Sequence, residues 1–89
     1  YPNPFNPETW IPFKLAEDTE VSVRIFDTSG EIVRQISLGY LNAGSYVSRE
    51  RAVYWNGRSD AGEYTSSGIY FYCISAESFS AMRKMVIMK

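Results

Sequence analysis

Apolar and polar residues alternate with a period of two along much of this chain, the spacing of a strand that buries one face. Thr9, Ile11, Phe13 and Leu15 alternate with Trp10, Pro12 and Lys14, and the proline inside this run points to an edge strand. Val21, Val23 and Ile25 alternate with Ser22 and Arg24 and predict a second strand. Between them, residues 16–19 are polar turn material. Asp27-Thr28-Ser29-Gly30 is a turn signature, with Asp at its start and Gly where a positive φ costs little. Residues 32–36 predict a third strand of mixed pattern, and residues 38–44, with two glycines and Asn42, a loop. Residues 45–55 read as two short strands or one bulged strand, with the charged stretch Ser48-Arg49-Glu50-Arg51 at an edge. Asn56-Gly57 opens a turn-dense segment to Gly62, a strong hairpin signal, and residues 63–66 predict a short strand. Residues 68–74 are apolar on both faces, which predicts the centre of a sheet. A tight turn at 76–78 and a last strand over 79–88 complete the pattern. No helix cap precedes apolar residues at helical spacing. About seven short strands separated by turn signals predict an all-β fold, an antiparallel β-sandwich of immunoglobulin-like or fibronectin-III-like kind. The core is expected from Ile11, Phe13, Val21, Val23, Ile25, Val53, Trp55, Tyr70, Phe71 and Ile74.

The beginning of the chain breaks this pattern. Three of the four prolines, Pro2, Pro4 and Pro7, fall in the first seven positions, and Asn3 and Asn6 each precede one. Proline donates no main-chain hydrogen bond and pushes its predecessor out of the helical region. Residues 1–8 are therefore expected to be a stiff, extended lead-in from an upstream domain, and residues 9–89 a single β-sandwich domain.

Composition narrows the chemistry. Eighty-nine residues make one domain, and 16% aromatic content suits pleated surfaces. A net charge of −1 offers no basic stripe for nucleic acid, and no apolar run approaches the roughly 18 residues of a membrane helix. The chain has no histidine and one cysteine, Cys73. That removes Ser-His-Asp and Cys-His nucleophiles and the usual zinc sites, and leaves Cys73 as a buried, inert thiol on an apolar strand. The carboxylates Glu17, Asp18, Glu20, Glu50 and Glu63 are scattered over polar segments, whereas glycoside hydrolysis needs two across a cleft. The expectation is a chain that is not an enzyme and takes no cofactor. Oxygen-bearing Asn56, Ser59, Asp60 and Glu63 fall in one segment, but Arg58 interrupts the alternation a calcium loop wants, so a structural hairpin is expected there. Trp10, Tyr40, Tyr46, Tyr54, Trp55 and Tyr64 are candidates for a sugar-stacking face.

Five segments, taken in order, carry a family likeness: YPNPFNPETWIPFKL, VSVRIFDTSGEIVR, AGSY, YWNGRSDAGEYTSSGIYFY and SAMRKMVIMK. Together they closely resemble the carboxy-terminal sorting domains of bacterial type IX (Por) secretion substrates. From Trp55 to Tyr72 the pattern is also similar to the immunoglobulin-like domain of the flagellar hook-capping protein. The stretch between Tyr46 and Trp55 is longer than the family's short link, and Asn56 stands where its Trp-Asp-Gly motif has Asp.

This resemblance implies a non-catalytic targeting domain at the end of a larger exported bacterial protein. It would direct export and surface attachment, ending outside the cell or on its surface after transit through the periplasm. Its partners would be the upstream passenger domain and the outer-membrane secretion machinery. The ending Lys84, Met85, Val86, Ile87, Met88 and Lys89 matches the family's terminal Lys-apolar-Lys pattern and is the candidate recognition segment. Pro2, Asn3, Pro4, Asn6 and Pro7 match its opening and are the candidate processing or linker segment. On residue types alone, the ending reads first as an ordinary closing strand whose lysines guard a sheet edge, and the resemblance brings the recognition reading level with it. An exposed edge also leaves pairing between two copies open. The alternative role is an accessory binding or spacer module of an extracellular enzyme, including one that binds a glycan.

Overall fold

Strict alternation decides the first layer. The computed structural model describes the backbone of residues 2–3 and 6–88 and the side chains of residues 8–88. In strand β4 (Thr19–Phe26) the odd-numbered positions, Thr19 to Ile25, are all buried. β4 lies inside a four-stranded antiparallel sheet, between β5 (Ile32–Leu41) and β8 (Gly68–Ser75), and β9 (Ser80–Ile87) closes that sheet in the order β5-β4-β8-β9. The facing layer is built from short pieces. β1 (Pro2–Asn3), β2 (Asn6–Ile11) and β7 (Val53–Trp55) form one sheet, and β3 (Phe13–Leu15) pairs with β6 (Gly44–Tyr46). Both layers are antiparallel, there is no helix among the described residues, and the fold is the immunoglobulin-like sandwich.

Pro12 explains why the facing layer is split. It cannot donate to a ladder, and it stands where β2, paired to β7, ends and β3, paired to β6, begins. The run that reads as one edge strand is therefore two strands with different partners. β2 starts at Asn6, so the described part of the proline-rich tract pairs with the domain: Pro2 stands opposite Thr9 and Asn3 opposite Asn6. Pro4 lies outside the described residues.

The core joins the layers. Ile11, Phe13, Leu15, Tyr46, Val53 and Trp55 from one side meet Val21, Val23, Ile25, Tyr70, Ile74, Met85 and Ile87 from the other. Trp55 is 1% exposed, its ring meets Tyr70 edge-on at 6.2 Å, and its Nε1–H donates to the Arg58 carbonyl at 2.8 Å. Burying the indole thus leaves no orphan donor. Phe13 stacks on Tyr46 at 4.7 Å. Thr65, also buried, donates from Oγ1 to the Gly57 carbonyl at 3.0 Å.

Four sequence expectations are corrected. Phe71 is not in the core: it stands beside Phe26 on the outward face of the four-stranded sheet, because Tyr70, Tyr72 and Ile74 take the inward positions of β8. Residues 38–41 are strand rather than loop. Val21 stands opposite Gly39 and Ser22 opposite Ser37, so Leu38 is an extra residue in β5, and Gly39 at φ 77° supplies the bulge that lets pairing continue to Leu41. Residues 48–51 form a tight turn instead of an edge, with the Ala52 N–H donating to the Ser48 carbonyl at 2.7 Å. In 63–66, predicted as a strand, only the bridge from Tyr64 to Arg58 forms.

The turn at 27–30 follows its sequence. Asp27 Oδ1 accepts from the Ser29 hydroxyl at 2.6 Å, the Ser29 N–H at 2.9 Å and the Glu31 N–H at 3.1 Å. The Ser29 hydroxyl chiefly holds its carboxyl below its ordinary value of 3.8; desolvation opposes this, and weaker main-chain N–H bonds from Glu31, Ser29 and Gly30 add to the lowering.

Two predictions follow from this packing. Trp55→Ala should cost about 3–5 kcal/mol in urea unfolding, and Phe71→Ala clearly less, because only the first opens a buried cavity. Because its folded value is depressed, ionised Asp27 stabilises the fold above pH about 4, and that contribution disappears as pH falls through the lowered value. Asp27→Asn should therefore lose less stability than the parent between neutral pH and pH about 3, measured by thermal unfolding across pH.

Candidate functional site

A sheet's hydrogen-bonding groups run out at its edges, and the two edges of the four-stranded sheet are treated differently. At β5, the loop after β7 folds over the start of the strand: the Asp60 N–H donates to the Val33 carbonyl at 2.9 Å, and the Gln35 N–H donates to Asp60 Oδ1 at 3.2 Å. Asp60 also pairs with Arg34 at 3.4 Å. β9 has no such cover. It pairs with β8 along all eight residues, from Ser80 opposite Ser75 to Ile87 opposite Gly68, and nothing among the described residues pairs with its other side. The two edge strands of the β3–β6 pair have three residues each. Among the described residues, β9 is the edge of this sheet left uncovered along its whole length, and long uncovered edges invite strand addition.

The candidate recognition residues lie on this strand with alternating roles. Met85 and Ile87 point inward and belong to the core, whereas Lys84 and Val86 are exposed on the outer face. Met88 is exposed just past the strand, and Lys89 lies outside the described residues. Arg83 is also exposed, and its guanidinium donates to the Met82 carbonyl at 2.9 Å. The sequence reading had not singled out this residue. The signal was present in the adjacent pair Arg83-Lys84, but only the edge position gives it meaning.

Beside β9 the two layers part. A groove of about 330 Å³ runs between β9 and the end of β2, lined by Thr9, Trp10, Ile11, Pro12, Tyr72, Lys84, Met85 and Val86. Its walls are mostly apolar, and Lys84 is the one charged side chain among them. Pro12 shapes its far wall at the break between β2 and β3.

The other candidates separate in space or are already engaged. Trp55 and Tyr46 are core residues. Trp10 meets Tyr54 across β2 and β7 at 5.4 Å, and the Arg49 guanidinium lies over one face of the Trp10 ring at 4.3 Å. Tyr64 is covered in the same way by Arg58 at 4.1 Å, and Tyr40 stands apart on β5. The side-chain oxygens of Asn56, Ser59 and Asp60 are engaged within the loop or with β5. Asn56 Oδ1 accepts from the Arg58 N–H, Ser59 Oγ from the Glu63 N–H, and Asp60 Oδ1 from Gln35 and Arg34. Asp18 Oδ1 accepts from the Ala43 N–H at 2.7 Å. Cys73 is half-buried on the outward face of β8, 3.7 Å from the Ser75 hydroxyl.

An open edge predicts uneven exchange. In an antiparallel strand, alternate N–H groups point to each side. Alternate β9 amides should exchange rapidly in amide hydrogen-exchange NMR while the amides of Ser22–Phe26 in β4, paired on both sides, are slow. Uniform protection along β9 would show that the edge is covered.

Comparison with known proteins places this architecture. No curated protein sequence matches the chain. Among solved structures, PorU from Porphyromonas gingivalis, described as dimeric and latent, superposes with a TM-score of 0.65 at 19% identity over 99% of this chain and 9% of that one. FlgD from Pseudomonas aeruginosa superposes at 0.60 with 17% identity, over 97% of this chain and 77% of that one. PorZ, an essential surface component of the type IX secretion system of P. gingivalis, superposes at 0.53 with 22% identity over 78% of this chain and 8% of that one. This chain thus spans less than a tenth of the PorZ and PorU chains. The sequence model of the FlgD Ig-like domain matches residues 8–80, and the chain belongs to that family.

Proposed function

We propose that this domain is a non-catalytic targeting module, presenting β9 and the residues after it to outer-membrane secretion machinery while a passenger domain in the same parent chain does the chemistry. The uncovered edge of β9 carries this reading. A sandwich filled by its own side chains offers main-chain groups and surface shape for recognition, and β9 supplies both along eight residues. Its support from outside is the shared fold: PorZ, an essential surface component of the type IX secretion system, and PorU from the same organism both hold a domain of this fold within far longer chains. Surface display of the passenger is the outcome of this role, with the mature protein outside the cell.

Arg49 on one face of Trp10, Arg58 on one face of Tyr64, and the burial of Trp55 and Tyr46 weigh against the accessory glycan-binding alternative. The test is export of a reporter fused ahead of the chain in a host with type IX machinery. The reporter should reach the cell surface or the medium with the whole chain attached and stay in the periplasm without it. Because residues 84–89 include the core side chains Met85 and Ile87, deleting them also tests folding. Val86→Glu, which alters only the exposed face, separates the two and should reduce export while leaving the circular dichroism spectrum unchanged. Periplasmic retention of the reporter with the intact chain would refute the role.

A further inference from the structure

We infer that the β9 edge and the adjoining groove take an extended segment of a partner protein that carries acidic residues opposite Arg83 and Lys84 and an apolar side chain next to them. The inference rests on the reading of β9 as the recognition edge and adds the chemistry of what it recognises.

Three features converge. The first is the free edge itself, where an added strand would gain a ladder of main-chain hydrogen bonds at the cost of ordering one short segment. The second is charge. From residue 78 to the end the sequence holds Arg83, Lys84 and Lys89 and no acid, and the nearest preceding acid is Glu77 in the turn. Arg83 and Lys84 are both exposed, sit side by side in the middle of β9, and have no carboxylate partner among the described residues. They project to opposite faces, because consecutive strand residues alternate. An incoming strand therefore meets one cation on each face. The third is the groove, whose apolar wall of Ile11, Pro12, Tyr72 and Met85 lies on the inward side of β9, on the same face as Arg83. A side chain of the added strand on that face would cover Met85 and Tyr72.

The same charges select against a second copy. Antiparallel pairing of two β9 edges about a two-fold axis sets residues of the same face opposite one another, so a register centred near the middle of the strand puts Arg83 against Arg83 or Lys84 against Lys84, and like charges directly opposite one another are destabilising. Met82 and Val86, exposed on β9, would otherwise favour such self-pairing. The two cations thus admit a strand of opposite charge and reject the chain's own, a choice made by repulsion as much as by attraction.

The experiment uses the whole 89-residue chain and three synthetic ten-residue peptides of alternating Thr and Val. One has a central Glu-Glu pair, one a central Lys-Lys pair, and one is the Glu-Glu peptide with prolines at alternate positions. Binding is read from the fluorescence of Trp10, which lines the groove, in a Trp55→Phe background checked for folding by circular dichroism, and from amide shifts along β9 in the parent chain. The Glu-Glu peptide should bind at least about tenfold more tightly than the Lys-Lys peptide, and the proline version should not bind. In Arg83→Glu/Lys84→Glu the preference should invert, a gain that misfolding cannot mimic. Equal affinity for the two charged peptides, binding that survives the prolines, or shifts located away from β9 would each overturn the inference. So would a dimer of the parent chain in sedimentation with β9 amides protected. A reporter that is not exported although charge-selective binding holds counts against the targeting role alone. Loss of charge selectivity overturns this inference whatever the reporter does.

Discussion

Every strand in a sheet needs a partner on each side for its main-chain donors and acceptors, and a sandwich of two open layers must leave some of them without one. The rest of this structure can be understood from where that deficit falls. In the layer built from β1, β2, β3, β6 and β7 the strands are short, and Pro12 interrupts the longest run, so no long stretch of free edge exists. At β5 the loop bearing Asp60 bonds back onto Val33 and Gln35. That cover reaches only the start of β5, whereas β9, eight residues long, has its inward positions anchored in the core by Met85 and Ile87 and its outer side free along its whole length.

The core makes that exposure affordable. Trp55 fills the space between the layers, satisfies its own N–H on Arg58, and meets Tyr70 on β8, the strand that holds β9 in place. Tyr70 in turn donates to the Ser66 carbonyl at 2.8 Å, which ties β8 to the loop leading into it. β9 is therefore held rigidly along one side while its other side is presented to solvent. A recognition strand needs this combination, since an edge that frayed would have to be ordered at the moment of binding.

The placement of charge follows the same division. Three arginines elsewhere lie on rings, Arg49 on Trp10, Arg51 on Tyr46 and Arg58 on Tyr64, and Arg34 pairs with Asp60. Stacked guanidinium groups cover apolar surface that would otherwise be exposed. Arg83 and Lys84 have no such ring, and they stand in the middle of the edge that is uncovered along its whole length. Their position protects the chain from pairing with itself and gives the edge a sign.

Much of this was legible in the sequence because alternation needs no tertiary information. The inward set of β4 follows from Val21, Val23 and Ile25 standing two apart, and the 27–30 turn follows from an Asp and a Gly at fixed positions. The central place of β8 follows from a run apolar on both faces. Three features were not legible. Phe71 is as apolar as Tyr70, and only the register with β4 and β9 shows which of them faces inward. The bulge at Leu38 and Gly39 extends a strand through residues whose local composition reads as loop, because pairing with β4 outweighs local preference. The long free edge is a property of strand order, and strand order depends on contacts between residues distant in sequence. The sequence by itself determined the class of fold, the inward faces and the cations of the last strand. Only the tertiary structure decided that those cations stand on an open edge beside a groove, because which strand remains unpartnered is settled by how the layers assemble, and no local pattern encodes it.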